Sequence, residues 1–240
     1  VKPYQHIPIA DCGEPLVAIP QGLFALETPH PYEVLGAPYG GRSPYYLRQG
    51  ILERLIMAQA MLQQQYPTWR IQIFDAYRPI AVQQFMVDYA FQQLLNQRQL
   101  QQATLSTAAQ QALWEEVYQF WAVPSHDPAT PPPHSTGAAI DVTLIDGAGQ
   151  PVAMGGAIDE LSPRSHPAYY ATSSEPQHQH WQQQRQLLAT VMGSAGFLRH
   201  PNEWWHFSYG DQMWAWLTRQ DSSAVQDSTQ TPTIACYGRI

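Results

Sequence analysis

Two short segments of this chain carry side chains whose types and spacing suit metal and acid–base chemistry: His134 with Asp141, and Glu203 with His206. Asp141 stands among Ile140, Val142, Leu144 and Ile145, where a carboxylate is costly unless it is paired or bound to metal. Alone, such a pair is more often a structural His and Asp than two ligands. Glu203 and His206 flank Trp204 and Trp205, aromatic surroundings that lower the local dielectric and strengthen charge interactions. On a strict strand the two would face opposite sides, so a common site requires a bulge or a loop end at Glu203. The alternative is a core histidine hydrogen-bonded beside tryptophans. Taken together, His134, Asp141 and His206 make a set of two imidazoles and one carboxylate that leaves a fourth tetrahedral position for water. One zinc ion per chain is the expected occupant. Metal would lower the pKa of that water to about 7, and Glu203 is left to take its proton. A third segment, Asp75-Ala76-Tyr77-Arg78-Pro79, ends an apparent strand. The rigid guanidinium of Arg78 suits a developing oxyanion, or else forms an ordinary ion pair with Asp75.

The elements that must position these groups follow from periodicity. Apolar residues at helical spacing predict a helix over Ile51 to Gln65, a second from Ile80 to Leu100 opened by Pro79, and a third capped by Ser106 or Thr107 and ended before Pro124. A fourth fits Gln177 to Ser194, closed by Gly196. Strands are expected at Leu16 to Ile19, Trp69 to Ala76 and Ala138 to Ile145, with a hairpin-type turn at Asp146 to Gly149 and two short strands between Phe197 and Tyr209. Helices and strands are interspersed without a Gly-rich phosphate loop. The expectation is α+β: a single domain over residues 1–240, with a small, mainly antiparallel sheet flanked by helices. Residues 1–50 read as strands and loops, and residues 220–240 as a polar, loosely ordered tail.

Composition excludes several classes. The 240 residues are 44% hydrophobic with a formal charge of -7, and Lys2 is the single lysine. The arginines are scattered, which argues against nucleic acid as a partner. Cys12 and Cys236 are too few for a disulfide framework and leave their pairing open. No apolar run suits a membrane span and no basic-then-apolar leader opens the chain, so a cytoplasmic location is expected.

The ordered set Asp-x-Tyr-Arg-Pro, His-Ser-x-Gly-x-Ala/Ile-x-Asp and Glu-Trp-Trp-His resembles the D-alanyl-D-alanine dipeptidases of the VanX type, zinc D,D-peptidases whose fold is shared with hedgehog signalling domains. The resemblance runs from about Ile51 to Tyr209. It implies His134, Asp141 and His206 as zinc ligands, Glu203 as base, Arg78 as the residue stabilising the tetrahedral intermediate, and a small D,D-dipeptide as substrate. It also reaches Met154, Gly155 and Asp159, and implies Asp159 as the anchor for the substrate ammonium; the other reading of Asp159 is a loop carboxylate capping a turn. Pro132 stands where the family has a serine associated with the substrate carboxylate, so that contact is lost or supplied otherwise. Tyr45, Tyr46 and Arg48 are candidates for lining the site or for surface packing. His126, His166, His178, His180 and His200 read as bystanders. Other readings are a D,D- or L,D-carboxypeptidase with a more open cleft, and a zinc-stabilised binding module. Glu203 and Arg78 together argue against the last, because a structural metal site needs neither.

Overall fold

The computed structural model describes residues 2–223 and 234–240. In chain order the elements are β1 (Leu16–Ala18), β2 (Ala25–Leu26), α1 (Pro31–Val34), β3 (Tyr46–Arg48), α2 (Gln49–Gln65), β4 (Arg70–Asp75), α3 (Ile80–Gln97), α4 (Thr107–Phe120), β5 (Ala139–Ile145), α5 (Pro176–Ser194), β6 (Leu198–Arg199), β7 (His206–Ser208) and α6 (Gln212–Ser223). Five strands form one sheet in the order β2-β4-β5-β7-β6, while β1 and β3 pair separately. Only the β2–β4 pair is parallel in the five-stranded sheet. This is the mixed α+β class with a mainly antiparallel sheet.

Alternation along β5 sends Ile140, Val142 and Leu144 to one face, where they join Ile71 and Ile73 of β4 and the buried stripes of α2 (Leu55, Leu62) and α5 (Leu188, Met192). Each large side chain so enclosed contributes about 1.5–3 kcal/mol. A second core lies between α3 and α4, where Val87, Phe91, Leu113 and Val117 pack together with Tyr32 and Trp121.

The register of β4 against β5 contains the irregularity that makes the site. Ile73 pairs with Val142, but Asp75, not Phe74, pairs with Asp141. Two residues of β4 thus oppose one of β5. A bulge of this kind reverses side-chain direction, so Asp75 leaves the face of Ile71 and Ile73 and joins that of Asp141. On the other side, Asp141 pairs with His206. Asp75, Asp141 and His206 therefore stand in one row across three strands, on a single face of the sheet.

The hairpin-type turn is present, with Asp146 N–H donating to Gln150 O at 2.9 Å and Gly149 N–H to Asp146 O at 3.0 Å. Helix α3 stops at Gln97, short of the expected Leu100, because Gln99 turns to φ 54° and Leu100 N–H folds back to Leu95 O. Periodicity missed α6, whose start is marked by Asp211: its Oδ1 accepts from Trp214 N–H at 2.8 Å, as an N-cap does. The expected tail divides accordingly. Residues 221–223 continue α6, 224–233 lie outside the described residues, and 234–240 are held. There, Ala235 donates to Pro8 O and accepts from Ala10 N–H, and Tyr237 is buried. Cys12 and Cys236 are free thiols on these adjoining segments. No helix among the described residues is long and apolar enough to cross a membrane.

Candidate active site

His134 comes from a 3-10 turn, Pro133–Thr136, placed beside the row by backbone contacts: Arg78 N–H donates to His134 O at 3.2 Å. Gly137 closes the turn at φ 70°, a conformation glycine adopts without strain. A Cβ there would also stand 2.6 Å from Leu16. The His134 Nδ1–H donates to Ala76 O at 2.7 Å, which leaves the Nε2 lone pair facing Asp141 and His206. The other ring nitrogen of a metal-binding histidine is commonly held in this way.

His134 Nε2, His206 Nδ1 and the Asp141 carboxylate form a buried triangle. Its edges are 3.1 Å between the imidazoles, 3.0 Å from His206 to Asp141 Oδ1, and 3.3 Å from His134 to Asp141 Oδ2. Tetrahedral ligands at zinc distances of about 2.0–2.1 Å stand roughly 3.3 Å apart. The donor set therefore fits a zinc ion with little movement. His134 and His206 could also share a proton, but two imidazole nitrogens and a carboxylate aimed at one point suit a cation better.

Glu203 lies in the loop just before β7, the loop end that a shared site with His206 requires. Its Oε2 is 3.9 Å from His206 Nδ1 and its Oε1 is 3.5 Å from His200 Nδ1. Burial, then repulsion from Asp141 and Asp159, pushes the Glu203 carboxyl well above the usual range, against the pull of Lys2 and Arg78. Burial acts in the same direction on Asp141, but the His134 charge and hydrogen bonds from His134 and His206 outweigh it and hold Asp141 well below that range.

Arg78 does form the ion pair with Asp75, through Nε at 2.9 Å and Nη2 at 2.8 Å. It does more than that: Nη1 donates to Gln83 Oε1, and Nη2 reaches Tyr32 Oη at 3.1 Å and Asp141 Oδ2 at 3.4 Å. The Tyr32 hydroxyl in turn donates to Asp159 Oδ2 at 2.7 Å. Asp159 sits at φ 63°. Burial, followed by repulsion from Asp141, raises its carboxyl to about 7, against Arg78 and the Tyr32 hydrogen bond.

These groups line one cleft with about 540 Å³ of empty space, part of it open to solvent. His134, Asp141, His206, Glu203, Arg78 and Asp159 all border it. So does His200, which spacing alone assigns to the bystanders although it stands three residues before Glu203; burial holds its imidazole well below the usual value, and thus neutral. Tyr45, Tyr46 and Arg48 do not line the cleft. Arg48 is taken up by Asp11, Thr136 O and Gly238 O, and Tyr45 packs on His30. From the same stretch, residues 32–48, it is Tyr32 and Tyr39 that contribute instead. Tyr39 Oη donates to Asp75 Oδ1 at 3.3 Å, and His30 Nε2 does so at 3.2 Å while its Nδ1 accepts from Tyr32 N–H. Asp75 thus holds Arg78 from within a fully bonded buried network.

Comparisons with known proteins give several matches. The peptidase M15 family model, described as D-ala-D-ala dipeptidase, matches residues 26–227. A D-alanyl-D-alanine dipeptidase of Synechocystis sp. (strain ATCC 27184 / PCC 6803 / Kazusa) is 53% identical over 247 residues, covering 100% of this chain and 97% of that protein. Proteins of the same name from Escherichia coli (strain K12) and Enterococcus faecium match shorter stretches. The first is 43% identical over 74 residues (31% of this chain, 36% of that one), and the second 37% over 81 residues (33% and 37%). Among solved structures, the LdcB LD-carboxypeptidase aligns with a TM-score of 0.45 at 14% identity, over 87% of this chain and 75% of its own.

Proposed function

The chain belongs to the D-alanyl-D-alanine dipeptidase family, and from that premise we propose that it is a zinc-dependent hydrolase of the free dipeptide D-alanyl-D-alanine, built as one domain. The observation that carries the zinc chemistry is the buried triangle of His134, Asp141 and His206 with the Glu203 carboxylate at its edge. A zinc ion held by those three residues would supply Lewis acidity, polarising the scissile carbonyl and making an attacking water more acidic.

The remaining work falls to side chains of this chain. Glu203 takes the proton of the attacking water and returns it to the leaving amine. Its proton affinity, raised by burial above that of an ordinary carboxylate, favours the taking of that proton. Arg78 has five N–H donors. Its bonds to Asp75, Gln83, Tyr32 and Asp141 leave one Nη1 hydrogen without a partner among the described residues, and Arg78 borders the cleft. That hydrogen stabilises the carbonyl oxygen as it gains negative charge. Asp159 receives the substrate ammonium, and the Tyr32 bridge couples its position to that of Arg78.

The test is to incubate zinc-loaded protein with D-Ala-D-Ala, L-Ala-L-Ala and a peptidoglycan stem pentapeptide, and to follow free amine. Turnover of D-Ala-D-Ala at least tenfold faster than of the other two is expected. Preference for the pentapeptide would replace the dipeptidase reading with a carboxypeptidase one.

A further inference from the structure

A dipeptide is a zwitterion, and the site described so far accounts for its ammonium and its carbonyl but not for its carboxylate. The cations bordering the cleft are few. Arg78 is committed to Asp75, Gln83, Tyr32 and Asp141, with its one remaining hydrogen assigned to the carbonyl oxygen, and His200 accepts the Asn202 N–H at Nδ1 at 3.2 Å, as a neutral ring does. The remaining one is Lys2, the single lysine of the sequence. It is partly buried and its ammonium makes no ion pair among the described residues. From these observations we propose that Lys2, carried into the cleft by the N-terminal turn, binds the α-carboxylate of the substrate and so sets its length.

The turn is built into place. Lys2 precedes a 3-10 segment, Pro3–His6, and its backbone N–H donates to Gln5 Oε1 at 2.7 Å. Tyr4, 7% exposed, lines the cleft beside it. From α6, the Gln212 amide donates to Ile7 O at 2.7 Å and to Ala129 O at 2.9 Å, fastening the turn to the loop that leads to His134. Pairing of Pro8 and Ala10 with Ala235 secures the following residues. Lys2, Glu203 and Asp159 border the same cleft, so a cation for the carboxylate, a base for the peptide bond and an anion for the ammonium are all within it. A peptide extended beyond its second residue would put an amide opposite Lys2 and chain against Tyr4, so the same turn excludes longer C-termini.

The inference rests on the dipeptidase reading, and its experiment separates the two. Steady-state kinetics are measured on the full zinc-loaded chain for wild type, Lys2→Met and Lys2→Arg, with D-Ala-D-Ala and with D-alanyl-D-alaninamide, which lacks the carboxylate. Loss of a desolvated charge pair weakens binding by at least about tenfold. Lys2→Met is expected to raise KM for the dipeptide at least about tenfold with kcat within about threefold of wild type, and Lys2→Arg to restore most of the loss. The preference of wild type for the dipeptide over the amide should fall at least about tenfold in Lys2→Met. An unchanged KM in Lys2→Met, or equal losses on both substrates, would overturn the role of Lys2 while leaving the dipeptidase reading intact. A wild type inert toward the dipeptide would overturn both.

Discussion

Replacing Asp159 by Asn should make the protein more stable and a worse dipeptidase, and both effects can be sized from the structure. The carboxyl is raised from 3.8 to about 7 by burial and by Asp141. A shift of about three units corresponds to about 4 kcal/mol at about 1.4 kcal/mol per unit. Asp159 is partly exposed to the cleft, and solvent screening at that edge reduces the figure to about 2 kcal/mol. The sign is opposite to that of an ion-paired aspartate. Between pH 3.8 and about 7 the folded state holds a proton that the unfolded state has released, so wild-type stability falls as pH rises through this window and levels off above it. Asn cannot ionise, still accepts the Tyr32 hydrogen bond, and tolerates the φ of 63° better than most residues. In metal-free protein, thermal unfolding from pH 4.5 to 8.5 should show a gap that opens with pH. At pH 8 it reaches about 4–8 °C in favour of the variant. At the same pH, the loss of a charge partner for the substrate ammonium should lower kcat/KM for D-Ala-D-Ala by about 10²-fold, while N-acetyl-D-Ala-D-Ala changes less than about threefold. A gap independent of pH would show that Asp159 is not a desolvated acid, and equal losses on the two substrates would show that it does not read the ammonium.

Three further substitutions separate the roles within the cleft. His206→Ala removes one of three converging donors and should reduce bound zinc from one per chain to well under half, as read by elemental analysis after dialysis. Glu203→Gln leaves the triangle whole, so zinc should remain near one per chain while turnover falls by about 10²-fold to 10⁴-fold; loss of the metal would reassign Glu203 as a ligand. Arg78→Ala should also keep zinc and lower turnover by roughly 10² to 10³, and it should cost about 3–5 kcal/mol of stability in denaturant titration because Asp75 is left buried without its cation.

The parts of this site that the sequence discloses are those carried by short, local spacing. Glu203 and His206 stand three positions apart, and the small residues around Gly137 announce a tight turn between His134 and Asp141. The strands β4 and β5 and the helices α2 to α5 are equally legible from their apolar stripes, whereas β2 and α6 are not. What escaped was either long-range or a matter of register. His30 and Tyr39 meet Asp75 across 45 and 36 residues, with no periodic signal to join them. The bulge between Ile73 and Asp75 is invisible in the alternation of Arg70 to Asp75, which reads as an unbroken strand with Asp75 on the core side. Lys2 and Tyr4 enter the cleft from the far end of the chain, and His200, merely near the motifs, has no spacing signal of its own to set it apart.

The charge balance of the cleft leads to one more prediction. Four carboxylates, Asp75, Asp141, Asp159 and Glu203, stand in or directly behind it against two committed or nearby cations, Arg78 and Lys2. An excess of two buried negative charges is costly, and it is the charge that one zinc ion neutralises. Without metal, burial first and repulsion among the carboxylates second raise both Asp159 and Glu203, so that protons relieve the excess there, while Asp141 and Asp75, paired with cationic groups, are lowered. Zinc binding must then expel protons from the raised groups. Calorimetric titration of zinc into the apoprotein near pH 6, repeated in buffers of different ionisation enthalpy, should give a release of at least about one proton per zinc. Asp159→Asn should release fewer, by up to about one, since the amide has none to give. Zinc binding without proton release would mean that the carboxylates are already ionised in the metal-free cleft, and the electrostatic reason for a divalent cation there would be lost.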